Sequence, residues 1–473
     1  MGRPLGAAAT EDIMKISIIG AGHVGLTTAA CLAELGHEVL CADNDKAKLR
    51  GLAAGRLPFF EAGLDDIVAR TRCDGRLRFV EPAEALAGDG VLFICVGTPP
   101  RDNGEADLAA IEAVARAVAR SAKGYRLIVE KSTVPVLAAK RLRKLLGASA
   151  RNGTHFDVVS NPEFWREGSA VEDFFHPDRI VVGAETARAR ELMTALYRPL
   201  LEQSFACPVH RGCRARQPAR LIFTDTNSAE LIQHASNTFL AMKISFINMV
   251  ADLCEASGAD IAQVVEGVGS DRRIGAAFLR PGVGFGGFCF PKELQAFVRL
   301  AENFGCDFSL LKDVEKINQR RGEQFVARVQ RTLWSLRGKK IAVWGLAFKP
   351  ATDDVRFAPA LAIVRRLLAE GAEVHAYDPQ AMDQAAKELP EVRYHDDPYA
   401  AAEEAEAILL LTEWDEFRAL DWGRIAAAAA RPLVFDGRNM FAADELAAHG
   451  LRHFAIGKAM PAAVEEALPA MAS

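Results

Sequence analysis

No apolar run in the sequence approaches the ~18 residues that a membrane-spanning helix requires. Positive charge is not in excess. Lys and Arg number 57 against 62 Asp and Glu, a formal net charge of −5, which argues against nucleic acid and anionic membrane as partners. Cysteine is sparse: nine residues, an odd number, scattered without paired spacing. No C-x-x-C pair and no Cys/His cluster reads as a zinc site, so no metal is expected. Reduced thiols and a cytoplasmic location are the expectation. Cys31 and Cys95 lie in apolar runs and read as small core residues. Short-period repeats are lacking, and so are low-complexity tracts beyond Ala-rich helix. Residues 1–13 carry Arg3 and an Ala-rich patch too short for a secretory segment. They are expected to be a flexible leader, with Met14, just before the first strand, as an alternative start.

What is present is an α/β alternation. Half of the residues are apolar and a quarter charged, an ordinary globular balance, and 473 residues suffice for two or three domains. Short β-branched runs at 15–20, 38–42, 90–96, 126–130, 157–160 and 179–182 are separated by Ala/Leu-rich stretches. This pattern predicts a parallel sheet with helices on both faces. Between Gln203 and Thr226 it breaks: Arg211, Arg214, Arg216 and Arg220 cluster with Gly212 and Pro218, which reads as a loop or hairpin with a solvated basic face. Residues 228–255 then carry apolar positions at three- and four-residue spacing, a long helix suited to bridging domains and pairing with a second copy. A second alternating unit begins at Lys339, with strands expected at 340–344, 373–377, 405–412 and 432–435. The expected fold class is α/β: two Rossmann-like α/β domains joined by a long central helix and a helical middle domain. The expected boundaries are a leader 1–13, a dinucleotide domain 14–210, a loop or hairpin 211–226, a helical dimerisation domain 227–336 and a C-terminal α/β domain 337–473.

Gly20-Ala21-Gly22-His23-Val24-Gly25 follows a strand and opens a helix. Its glycines permit a tight turn, a close approach of pyrophosphate and close helix–strand packing, and the helix start offers free N–H groups to phosphate. Asp43 closes the next strand. A carboxylate there accepts from a ribose diol and repels a 2′-phosphate, favouring NAD over NADP. Two further strands end in tight loops, Gly97-Thr98-Pro99-Pro100 and Lys131-Ser132-Thr133-Val134-Pro135. Either alone reads as a turn; three such loops at one sheet edge point to a cofactor crevice.

Five further segments carry a family resemblance. They are Ser160-Asn161-Pro162-Glu163-Phe164-Trp165-Arg166-Glu167-Gly168, the stretch Asn237 to Asn248, Gly284-Phe285-Gly286-Gly287-Phe288-Cys289-Phe290-Pro291-Lys292, Gly345-Leu346-Ala347-Phe348-Lys349-Pro350 and Asp436-Gly437-Arg438-Asn439. In this order the sequence resembles the nucleotide-sugar dehydrogenases, UDP-glucose/GDP-mannose type, most of all the members that oxidise UDP-glucose at C6. The resemblance implies oxidation of a sugar C6 alcohol to a carboxylate with two NAD⁺, through a thiohemiacetal and a thioester on a cysteine. It implies a UDP-sugar partner and a homodimer or larger homo-oligomer. Cys289 stands at the nucleophile's position, with Lys292 nearby to favour a thiolate. Thr133 and Glu163 fall where the family handles water and protons, and Asn237 where it holds an oxyanion. Gly20, Gly22, His23, Val24, Gly25, Asp43, Thr98, Thr133 and Arg356 are implied in cofactor binding. Phe164, Trp165, Glu167, Asn237, Arg273, Phe278, Arg280, Gly286, Lys349 and Arg438 are implied in substrate binding, the cations suiting a diphosphate.

Two catalytic positions depart from the family pattern. Gln233 stands four residues before Asn237, where the family has lysine, and Glu293 four residues after Cys289, where it has aspartate. Phe288 replaces a common serine and Phe357 a commonly acidic residue. Three readings stay open: the full four-electron oxidation, a retuned two-electron oxidoreductase or different sugar nucleotide, and a weakly active or non-catalytic binding paralogue.

Overall fold

The short β-branched runs become strands of two sheets. The computed structural model describes residues 13–101, 104–150, 153–210, 213 and 218–459. The chain forms two units, one ending at Ala235 and the other beginning at Ser236.

In the first unit the strands are β1 (Lys15–Ile19), β2 (Glu38–Ala42), β3 (Leu77–Val80), β4 (Gly90–Ile94), β5 (Tyr125–Glu130), β6 (His155–Ser160), β7 (Arg179–Gly183) and β8 (Arg220–Thr224). They form one sheet in the order β3-β2-β1-β4-β5-β6-β7-β8. The sheet is two-faced. Ile16, Ile18, Phe93, Leu127 and Val129 pack on one side; Ile19, Leu92, Ile94, Ile128 and Val158 pack on the other. Burial on both faces explains why these strands read as continuous apolar runs. Cys31, Cys41 and Cys95 lie in this core; burial pushes their thiols up, that of Cys41 to about 12, which leaves them inert.

The expectation of a wholly parallel sheet needs one correction. β1 to β6 are parallel, but β7 meets β6 antiparallel at Ser160 and Gly183, and β8 runs parallel to β7. Between β6 and β7 the only helix is Ala170–Phe175, six residues, about 9 Å long. The connection of residues 161–178 holds no longer helix of the kind that ordinarily returns the chain for a parallel neighbour; it carries the Glu163 segment instead. Arg220–Thr224, expected within a loop or hairpin, is β8. Its run Leu221-Ile222-Phe223 is the strand signal that the neighbouring arginines obscured. Arg211, Gly212, Arg214 and Arg216 lie outside the described residues, as do residues 1–12 of the expected leader.

The second unit contains the strands β9 (Lys340–Trp344), β10 (Glu373–Tyr377), β11 (Arg393–Tyr394), β12 (Ala407–Leu410), β13 (Leu433–Asp436) and β14 (Arg452–Ala455). Their order is β11-β10-β9-β12-β13-β14, parallel throughout. The first six strands of the other sheet repeat this arrangement, so each sheet reverses its winding beside its first strand, where crevices for ligands open. The helix Thr226–Ser257 has 32 residues, and the unit boundary falls inside it. Helices Ile261–Gly269, Cys289–Asn303 and Ser309–Leu333 lead to β9. Among the described residues no helix is long and apolar enough to cross a membrane.

Candidate functional site

The first unit builds its site at the carboxyl ends of β1, β4 and β5. Gly20 has φ +105°, and a Cβ there would lie 2.5 Å from the Cys95 carbonyl oxygen. A Cβ on Gly25 would lie 1.7 Å from the Gly20 carbonyl oxygen. At Gly22 nothing stands within 4 Å of that point. Two glycines thus close the turn onto the sheet, and the third leaves open space at the start of the helix His23–Glu34. That opening is what a pyrophosphate needs. Asp43 is buried and accepts from the Ala21 N–H at 2.9 Å, the Asp45 N–H at 2.9 Å and Lys48 Nζ at 2.8 Å. Burial raises its pKa, but these bonds outweigh burial and hold the carboxyl below its ordinary value. It is an anion, with acceptor capacity left for a ribose hydroxyl.

His23, the first residue of that helix, meets Glu61 at 2.8 Å. Burial opposes its charge; the Glu61 hydrogen bond and the fields of Glu167, Glu61 and Glu163 prevail, and its pKa is raised. Glu61 is buried and also accepts from the Gly168 and Ala170 N–H groups. It ties the glycine turn to the segment after Glu163. Sequence reasoning missed it, because a lone glutamate between turn residues carries no pattern. Val24 follows His23 within the helix, half-buried, and its carbonyl accepts from Thr28 Oγ1.

Thr98 Oγ1 donates to the Thr133 carbonyl at 2.8 Å, joining the β4 and β5 loops. Gln233, buried on the long helix, donates through Nε2 to Thr133 Oγ1 at 3.3 Å and to the Glu163 carbonyl at 3.1 Å. Three residues expected in catalysis thus converge. Glu163 Oε2 accepts from the Trp165 N–H at 2.7 Å. Burial raises the Glu163 pKa against the opposing pull of that bond, Lys131 and His23, so its carboxyl is poised to exchange a proton nearer neutrality. Lys131 is the second missed residue. It is buried, its Nζ sits 4.7 Å from the Trp165 ring centre, and burial lowers its pKa to about 8. The Phe164 ring is covered by the Arg179 guanidinium at 3.9 Å. Glu167 acts on the site through its field on His23.

The second unit holds the cysteine. Cys289 is half-buried and is the first residue of the helix Cys289–Asn303, where the helix dipole favours a thiolate. Lys292 and Glu293, one turn on, are both buried. Burial lowers the Lys292 pKa, while Glu293 and Cys289 sustain its charge. Glu293 Oε2 accepts from Asn237 Nδ2 at 2.8 Å. Phe288 is flanked by Lys292 at 4.8 Å and by the Arg356 guanidinium at 4.6 Å; Arg356 also grips Asp354 through two nitrogens. A Cβ on Gly286 would meet the Phe357 carbonyl oxygen at 2.4 Å, and one on Gly287 the Phe348 ring at 2.7 Å. Those glycines exist to seat the cysteine loop against residues 348–359.

Arg438 donates to the carbonyls of Leu411, Gly284 and Phe348 and pairs with Glu413 at 3.3 Å. It therefore orders the loops of the second sheet. Lys349 lies 5.6 Å from the Phe348 ring centre. Arg273 is exposed and bound to Asp271, and Arg280 is exposed. Neither is drawn into the cluster around Cys289. Phe278 has φ +64° and its ring lies 6.2 Å from Phe290.

Comparison with known proteins matches three segments of the chain. Residues 14–201 match the NAD binding domain of the UDP-glucose/GDP-mannose dehydrogenase family, 227–320 its central domain and 342–443 its UDP binding domain. A UDP-glucose 6-dehydrogenase of Rhizobium meliloti is 44% identical over 451 residues, 94% of this chain and all of that one. Among solved structures, a UDP-glucose dehydrogenase of Pyrobaculum islandicum matches with a TM-score of 0.85 and 37% identity, over 96% of this chain and all of that one. A UDP-D-ManNAc dehydrogenase of Pyrococcus horikoshii matches at 0.80 and 27%, over 94% and 99%.

Proposed function

The chain belongs to the UDP-glucose/GDP-mannose dehydrogenase family, and from that membership we propose that it oxidises UDP-glucose at C6 to UDP-glucuronate with two NAD⁺. The observation that carries this reading is Cys289 at a helix start beside Lys292, in a chain whose other unit groups Thr133, Glu163 and Gln233 around one set of hydrogen bonds. When bound, NAD⁺ accepts one hydride in each of two oxidations.

The residues divide the work. In the first oxidation the C6 alcohol loses a hydride and a proton and becomes an aldehyde, itself a poor hydride donor. The Cys289 thiolate adds to its carbonyl carbon, and the oxygen takes a proton, giving a thiohemiacetal. This tetrahedral carbon can release the second hydride and its hydroxyl proton to become a thioester. Water then displaces the sulfur, giving carboxylate and a regenerated thiol. Glu163, with its raised pKa, is the group suited to take and return protons around water. Asn237, which commits one Nδ2 hydrogen to Glu293, has a second amide hydrogen to offer the developing oxyanion, while Gln233 spends both of its own on Thr133 and the Glu163 carbonyl and so positions them. Uridine recognition falls to the second sheet, where Arg438 fixes the loops.

The test is stoichiometric. With limiting UDP-glucose and excess NAD⁺, two NADH per sugar and a glucuronate product are expected. One NADH with an aldehyde or cysteine adduct would replace this reading with a two-electron oxidoreductase. Binding of both ligands without turnover, on this and other sugar nucleotides, would replace it with a non-catalytic role.

We also propose a homodimer formed through the long helix. Phe239, Phe246, Met249 and Leu253 are 56%, 50%, 44% and 67% exposed and recur at helical spacing along it. Such a stripe of large apolar groups is costly to leave in water. Sedimentation at micromolar concentration should return a dimer or larger; a monomer would count against it. A cytoplasmic location fits the absence of disulfides among the nine cysteines; a disulfide in the native protein would count against that.

A further inference from the structure

The reading of the sequence found no Cys/His spacing for a metal, yet folding assembles one. His176 follows the helix Ala170–Phe175. Cys207, His210 and Cys213 lie in the connection between the helix Ala187–Glu202 and β8. One ligand atom from each of the four lies within 4.8 Å of all the others. His176 Nε2 is 3.2 Å from Cys207 Sγ and 3.6 Å from Cys213 Sγ, and Cys207 Sγ is 3.8 Å from His210 Nδ1. Zn–S bonds of ~2.3 Å and Zn–N bonds of ~2.0–2.1 Å at tetrahedral angles set sulfur–nitrogen edges at about 3.6 Å. The three distances bracket that value.

We propose that His176, Cys207, His210 and Cys213 form a structural Zn²⁺ site, distinct from the dehydrogenase centre. Two independent features support a metal over a chance cluster. The other ring nitrogen of His210, Nε2, faces Glu172 Oε1 at 3.6 Å, the carboxylate–histidine–metal arrangement that fixes a ligand's tautomer. The His210 N–H points at Cys207 Sγ at 3.3 Å, a bond that steadies a thiolate. Two sulfurs and two imidazoles are a donor set of zinc's softness, and four protein ligands close the coordination sphere without leaving a reactive position. On binding, Zn²⁺ displaces the two thiol protons and forms two Zn–S and two Zn–N bonds.

The site's task follows from where its ligands lie. It staples Cys207, His210 and Cys213, which among the described residues lie outside any helix or strand. The anchor is the helix Ala170–Phe175. That helix supports the segment after Glu163: Phe174 packs on Trp165 at 5.6 Å, and Asp173 binds Arg166. Phe205, from the stapled connection, packs on Phe175 and His176.

The full-length protein, purified without chelator under reducing conditions, should carry about one zinc per chain by mass spectrometry of the metal. Cys207→Ser/Cys213→Ser should lower that content ~10-fold or more. Cys73→Ser/Cys306→Ser, which removes two exposed cysteines elsewhere, should leave it unchanged. Replacing zinc by Co²⁺ in the unmutated chain should give the intense visible bands of tetrahedral thiolate coordination, a readout that needs no variant to fold. Absence of zinc and of the cobalt bands would overturn the proposal. So would a native Cys207–Cys213 disulfide, or zinc content unaffected by the double serine variant. Because metal content and spectrum are read without substrate, failure here leaves the dehydrogenase reading standing, and the reverse holds.

Discussion

Replacing Cys289 by alanine is expected to cut UDP-glucuronate formation by about 10⁴-fold or more, within the range lost when a covalent nucleophile is removed, and to cap NADH at one per sugar. The electron count dictates this result. Four electrons leave C6 in two hydrides, and only the second needs a tetrahedral carbon bearing sulfur. Without the thiol the aldehyde has no route to the thioester. Alanine is a strong helix former, so at the first position of the helix Cys289–Asn303 it should preserve the fold, and NAD⁺ affinity should be unchanged. Cys289→Ser tests the same step differently: a hydroxyl beside Lys292 is a far weaker nucleophile than a thiolate. Full glucuronate production by either variant would remove the cysteine from the mechanism and leave hydration of the aldehyde as the route to acid.

The fold was largely readable because its signals are local. β2, β9 and β10 fall at the residues expected from apolar runs and turn residues, and the glycine turn was read with its strand and helix. β11 has two residues and β3 alternates Arg78 with apolar neighbours; neither is long enough for periodicity to register. β8 was hidden by the arginines around it, and the reversal at β7 is a matter of strand pairing, which periodicity does not report. At the candidate site, Cys289, Asn237, Gln233 and Glu293 were named from motif position, and the structure pairs Asn237 with Glu293 and Gln233 with Thr133 and the Glu163 carbonyl. Glu61 and Lys131 were not, since their importance comes from burial and from partners far away in the chain. The Cys/His cluster was partly legible: Cys207, His210 and Cys213 form a C-x-x-H-x-x-C run whose spacing is a metal-ligand signal that went unused. Only the fourth ligand, His176, 31 residues from Cys207, is delivered by the packing of a helix and lies beyond what spacing reports.

Restoring both departures, Gln233→Lys with Glu293→Asp, is expected to raise turnover on UDP-glucose by ~10–100-fold. The loss of one oxyanion donor costs about 10²–10³ in rate, and a neutral amide recovers part of that. Gln233 already donates to Thr133 Oγ1 and the Glu163 carbonyl, two acceptors that an ammonium at the same place would use, adding the charge an amide lacks. Burial of Gln233 opposes that charge, and the Glu163 carboxyl is the group available to offset it. At the other position, Glu293 holds Asn237 Nδ2 at 2.8 Å. Aspartate withdraws that acceptor by one methylene, about 1.5 Å, a displacement of the kind that changes catalysis by roughly 10²-fold. Gln233 and Asn237 share a helix four residues apart, and Asn237 bonds to Glu293, so the single changes should not sum to the double one. A gain confined to the double variant would mean that the two positions were altered together within a working four-electron enzyme. A fall in turnover on UDP-glucose, with binding intact, would mean instead that the amide and the longer carboxylate suit a different sugar, and the search for the substrate would move to other nucleotide sugars.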